Sequence, residues 1–168
     1  MKNTILSLFL LLLSTAVNAQ SKSDDIYDSI EASDAATYME MSRPFISMSS
    51  TNLGAQQAEI VNHIDEVRFI HYDISKGDLK PTFEKFVCKA FSKRPFKDYD
   101  IVKEMNIDRS DISFNSWVIN EKSKIHEFHI LITPDEEKQG AFLISYYGEF
   151  GNLELDYLKA MAMKDIGL

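Results

Sequence analysis

Four histidines, a single cysteine, seven methionines and a scatter of serines and carboxylates are the side chains of this 168-residue chain whose chemistry could be put to use. His126 and His129 stand three apart, a spacing at which two imidazoles share one helix face and can grip zinc. The run around them, I-H-E-F-H-I-L-I, reads as a strand, where a separation of three sends the rings to opposite faces. His63 and His71 can join either of them only through the tertiary fold. Met39 and Met41, and again Met161 and Met163, are thioether pairs of the kind that takes monovalent copper outside the cytoplasm. Methionine at such spacing also fills irregular core, and divergence on a helix separates the second pair. No metal ligand set and no cofactor-binding residue is assigned.

Nucleophiles fare no better. Ser113, Ser116 and Ser145 lie inside strand-like runs, and none sits in a glycine-flanked elbow. Cys88 could pair with a histidine, but Lys89 beside it on a helix edge does not define an activated thiolate. The six glycines are scattered and build no phosphate cradle. Asp108 and Asp111, and Asp135 to Glu137, belong to turns, where carboxylates are ordinary. No catalytic residue is assigned. Trp117, Tyr146, Tyr147 and Phe150 form an aromatic set on adjacent strands. Of these Trp117 and Tyr147 are the candidates for contact with a partner, weighed against a plain core role.

The elements that must position these groups follow from hydrophobic period. Thr37 to Ser42 alternates as a first strand, and Ser42 before Pro44 suits a helix start, with Phe45, Ile46 and Met48 on its buried side. Leu53, Gln57, Ile60, Val61 and Ile64 fall at helical spacing. Glu66 to Ile74 is rich in β-branched and aromatic residues on both faces, with Phe69 and His71 on one and Ile70, Tyr72 and Ile74 on the other, as a central strand requires. Leu79, Phe83, Phe86, Val87, Ala90 and Phe91 mark the strongest helix, with Pro81 in its first turn and Pro95 past its end. Tyr99 to Met105 is a short strand. Ile112 to Ile119, Ile125 to Ile132 and Ala141 to Phe150 are three strands joined by polar connections, hence a consecutive antiparallel meander. Leu155, Leu158, Met161 and Ala162 close the chain as a helix. Segregated helices and a mostly antiparallel sheet make the fold class α+β, with the helices packed on one face.

The two ends bound the setting. Lys2, the apolar run Ile5 to Leu13 and the small residues through Ala19 have the form of a secretory signal peptide cut before Gln20. Its apolar stretch is well short of the ~20 residues that a bilayer-spanning helix needs, so no permanent membrane anchor is expected. Residues 20–36 are acidic and read as a solvated linker, leaving 37–168 as one domain. The formal charge of −8 lacks a basic cluster, which excludes nucleic acid and anionic membrane as natural partners. One cysteine cannot form an internal disulfide, so packing alone must hold the fold.

Tyr38 to Ser42, Val67-Arg-Phe-Ile70, Phe83-Glu-Lys-Phe86, Tyr99-Asp-Ile-Val-Lys-Glu104, Ile125 to Ile132, Ala141 to Gly148 and Leu153 to Leu158 together resemble the small exported bacterial proteins of domain-of-unknown-function family 4252. The resemblance runs from about Thr37 to Met163 and rests on apolar spacing. It implies an envelope protein accompanying extracytoplasmic sigma-factor regulation, and it carries over no catalytic residue. The expectation is therefore a periplasmic or secreted, non-catalytic interaction module that binds an envelope protein or peptide through its sheet or its acidic N-terminal segment. A metal-binding protein or small hydrolase using the histidines and Cys88 is the alternative.

Overall fold

Alternation of apolar residues along the strands, on both of their faces, dictates a sheet that needs covering from two sides. The computed structural model describes residues 21–49, 54–76, 82–99, 112–121, 124–134, 140–151 and 154–158. In chain order the elements are α1 (Asp24–Glu31), β1 (Ala36–Ser42), α2 (Arg43–Ser49), α3 (Ala55–Val61), β2 (Ile64–Tyr72), α4 (Thr82–Phe91), β3 (Lys97–Asp98), β4 (Ile112–Glu121), β5 (Lys124–Pro134) and β6 (Ala141–Phe150). Residues 154–158 are helical and form α5. The strands make one antiparallel sheet in the order β1-β2-β6-β5-β4-β3. The expected meander is present as β4-β5-β6, and the α+β class holds.

Three expectations are corrected. Helices cover both faces of the sheet. On one, Ile46 of α2, Val61 of α3 and Leu155 and Leu158 of α5 pack on Val67, Phe128, Ile130, Ile132, Ile144 and Tyr146. On the other, Tyr27 and Ile30 of α1 and Phe83, Val87 and Phe91 of α4 pack on Ile70, Tyr72, Trp117, Leu131 and Leu143. Two apolar strand faces cannot both be dried by helices on one side. The segment 20–36 is no linker over its described part: α1 forms there, because Tyr27 and Ile30, three apart, give an otherwise acidic stretch one stripe to bury. Phe86 is exposed, since α4 turns its i, i+4, i+8 row Phe83, Val87 and Phe91 inward.

Smaller differences concern boundaries. Ile64 opens β2 instead of closing the preceding helix, and the short strand expected at Tyr99 to Met105 appears as Lys97–Asp98, with residues 101–111 outside those described. Leu79, Pro81, Met161, Met163 and the signal-like residues 1–19 also lie outside the described residues.

Gly148 pairs with Ile64 at a register irregularity between β2 and β6. Its φ is 157°, and a Cβ there would stand 2.0 Å from the His63 carbonyl oxygen. Backbone cannot yield as a side-chain tip can, so Gly148→Ala should destabilise by about 2 kcal/mol or more. Urea unfolding of the variant measures it, and an unchanged midpoint would refute the claim.

Candidate functional site

Strand register gathers the polar groups. His129 pairs with Ser145 and Glu127 with Tyr147 across β5 and β6, and Ser145 pairs with Arg68 across β6 and β2. All five point to the face that α1 and α4 cover. Glu127, His129 and Ser145 are buried, as is Ser23 just ahead of α1.

The hydrogen bonds have one consistent direction. Tyr27 Oη donates to Ser145 Oγ at 2.5 Å, which leaves the Ser145 hydroxyl hydrogen for His129 Nδ1 at 2.6 Å. The His129 proton is thereby placed on Nε2, 3.2 Å from Glu127 Oε2. That approach lies off the line of a hydrogen bond, and Nε2 has no other hydrogen-bond partner among the described residues. Glu127 accepts from the Lys22 amide and from Ser23 Oγ, each at 3.2 Å. Since Ser23 gives its hydrogen to Glu127, Tyr147 Oη donates to Ser23 Oγ at 2.6 Å. Arg68 binds Asp24 and Glu66, and its guanidinium lies 5.5 Å from the Tyr27 ring centre and 4.8 Å from that of Tyr147.

Burial sets the protonation states. It pushes His129 down against the pull of Glu127, so the ring is neutral. Burial pushes Glu127 up, but His129, the Lys22 amide and Ser21 outweigh it and the carboxyl is held below its usual range. Tyr147 is pushed up to about 12 by burial, so it stays a donor. Burial opposes the charge on Arg68, yet Tyr147, Asp24 and Glu66 together raise its pKa.

Serine, histidine and glutamate thus stand in line, but the arrangement is that of a latch. Ser145 is fully buried in mid-strand and paired on both sides, so neighbouring amides serve the ladders instead of an oxyanion. What the array does is fasten the segment that carries Lys22, Ser23, Asp24 and Tyr27 to the sheet.

Both folded-state shifts run in the same sense with pH. His129 below its ordinary 6.5 and Glu127 below its ordinary 4.5 mean that the unfolded chain binds more protons in each window. Stability is complete above about pH 7, begins to fall as pH drops through 6.5, and falls further below 4.5. The groups facing His129 are Glu127, Ser145 and the rings of Phe91, Phe96 and Tyr147, with Arg68 near. In His129→Gln the first fall, up to ~1.4 kcal/mol per pH unit, should vanish from denaturant midpoints measured between pH 7 and 5, and its survival would count against the assignment.

The structure places the sequence-derived candidates as follows. Trp117 and Tyr147 are corrected: exposed to 4% and 8%, neither offers a contact surface, since Trp117 stacks on Phe91 at 4.9 Å under α4 and Tyr147 lies in the latch. His126 and His129 are not brought together. His71 stacks on Phe142, and His63 Nδ1 lies 3.2 Å from Glu154 Oε1. Among the described residues no group of three or more histidine, cysteine or carboxylate side chains could hold a metal ion. Cys88 is half-buried, with its thiol pushed up by burial and by Glu84. Met39 is half-exposed while Met41 packs on the core, so that pair is split by environment.

Ser23, Tyr27, Arg68, Glu127 and Ser145 escaped the reading of the sequence as members of one site. A signal was there. Arg68 and Glu127 are charged positions in strands apolar on both faces, and a buried charge demands partners.

A family model described as "Domain of unknown function (DUF4252)" matches residues 27–158. No curated protein and no solved structure matches the chain. The match begins at Tyr27, inside the helix that the latch holds down.

Proposed function

We propose that this chain, which belongs to the DUF4252 family, is an exported, non-catalytic interaction module of the bacterial envelope that engages a protein partner along the β1 margin of its sheet. The supporting observation is β1 itself. Among the described strands it is a seven-residue edge strand free of proline and lysine, and Met39 within it and Phe45 and Met48 of the adjoining α2 are 51%, 58% and 74% exposed. Edge strands usually carry protection against pairing, and exposed apolar side chains clustered at one are a docking surface. The leader-like residues Lys2 to Ala19 support export, and no described helix is long and apolar enough to cross a membrane.

Glu40→Pro is the natural probe, because a proline at an outward-facing edge position blocks strand addition without removing a bond to β2. Proteins captured by the purified chain from an envelope fraction of its own source should be lost with Glu40→Pro. Identical capture by both, or a cytosolic chain retaining residues 1–19, would overturn the reading. A second reading, a hydrolase built on Ser145, His129 and Glu127 and not on the histidines with Cys88, draws on those three standing in line. Ester turnover above that of Ser145→Ala would favour it.

A further inference from the structure

The outer side of β1 is chemically asymmetric. The Asp73 amide donates to the Ala35 carbonyl at 2.9 Å, and the register pairs Thr37 with His71, Met39 with Phe69 and Met41 with Val67. Hydrogen-bonded pairs alternate along an antiparallel ladder, so the odd-numbered residues bond β2 and the amides of Tyr38, Glu40 and Ser42 point away from the sheet. The Ala36 amide is already taken by the Ser33 carbonyl at 3.0 Å. Three donors, two residues apart, therefore face outward in extended geometry.

The two flanks of that row differ. On one face Met39 of β1 is exposed, and α2, whose Ile46 packs on that face, carries the exposed Phe45 and Met48 directly after the strand. On the face that α1 covers stand the exposed carboxylates of Glu40, Asp25, Asp28 and Glu31, while Asp24 alone is spent on Arg68. Tyr38 donates to Glu40 at 2.7 Å and so holds that carboxylate at the edge. A strand laid along β1 turns alternate side chains to each flank.

We propose, resting on the reading of β1 as the contact margin, that the partner contributes an extended segment in which apolar and basic residues alternate, added as a seventh strand. Its apolar side chains cover Met39, Phe45 and Met48, and its lysines or arginines meet Glu40 and the outer carboxylates of α1. A second copy of the chain is the weaker occupant. An antiparallel register centred on Met39 would set Tyr38 opposite the other Glu40, yet it would bring two acidic α1 helices side by side between chains of charge −8.

The test uses the purified chain and three capped heptapeptides: lysine alternating with valine, glutamate alternating with valine, and the lysine and valine residues in two blocks. The alternating basic peptide should bind about tenfold or more tightly than either comparator, and more weakly as salt rises. Its binding should slow hydrogen exchange at the Tyr38, Glu40 and Ser42 amides about tenfold or more, and leave the amides of Thr37 and Met39 as they were. Glu40→Pro should abolish both effects. Met39→Lys, which leaves the backbone intact, should weaken the basic peptide several-fold if the proline variant is poorly folded. Equal binding of the glutamate peptide, protection elsewhere, or no binding at all would overturn the proposal. If the same three amides are instead protected in a concentration-dependent dimer, or if capture sensitive to Glu40→Pro persists without basic-peptide binding, the proposal fails while the margin's role stands.

Discussion

Phe91→Ala should cost about 3–5 kcal/mol, lowering Tm by ~10 °C or more, the largest effect of any single substitution in the described core. Phe91 is fully buried at the meeting point of α4 and the sheet. Its ring stacks on Trp117 at 4.9 Å, meets Phe96 edge-on at 4.8 Å and lies 4.5 Å from His129. Truncation deletes the aromatic contacts and leaves a cavity walled by two strands that cannot collapse into it. Calorimetry of the variant gives the value, and a loss under 1 kcal/mol would show that α4 seats on the sheet by other means. Trp117→Ala should act through the same cluster, as a loss of stability.

The second large effect belongs to Glu127→Ala. Removing the carboxylate strands the Ser23 hydroxyl and the Lys22 amide in a dry site and takes the counter-charge from beside His129, a penalty of about 2–4 kcal/mol. Much of that loss should be local, because Lys22 and Ser23 lead directly into α1 and Glu127 ties them to β5. Trypsin should cut after Lys22 markedly faster than in the parent, and amides of Asp24–Glu31 should exchange faster while β5 and β6 keep their protection. Glu127→Gln keeps one acceptor and should recover part of the loss. Uniform loosening of the whole sheet would mean that Glu127 serves the core instead of α1.

The strands were legible because their apolar residues repeat with period two: β6 falls at Ala141–Phe150 as expected, and Phe128, Ile130 and Ile132 share a buried face as their spacing requires. Helix coverage was not. Acidic composition masked α1, whose docking depends on two apolar residues and on one carboxylate, Asp24, whose partner Arg68 lies 44 residues on in β2. Likewise Trp117 and Tyr147 carried no sign of which side of the sheet would be sealed, since amphipathic aromatics suit core and contact surface alike. The latch was illegible because its members come from four parts of the chain, and only cross-strand register joins them.

The sheet order places β2 between β1, which precedes it in sequence, and β6, the last of the described strands. A nascent polypeptide emerging from its N-terminus can pair β1 with β2 early, across the two short helices α2 and α3 that join them, but a lone two-stranded pair is marginal in water. The inner rim of β2 has its partner only once Ala141 to Gly148 of β6 have been made. Completion of the sheet therefore waits on a partner far away in sequence, and closing that long-range pairing should be the slow step of folding.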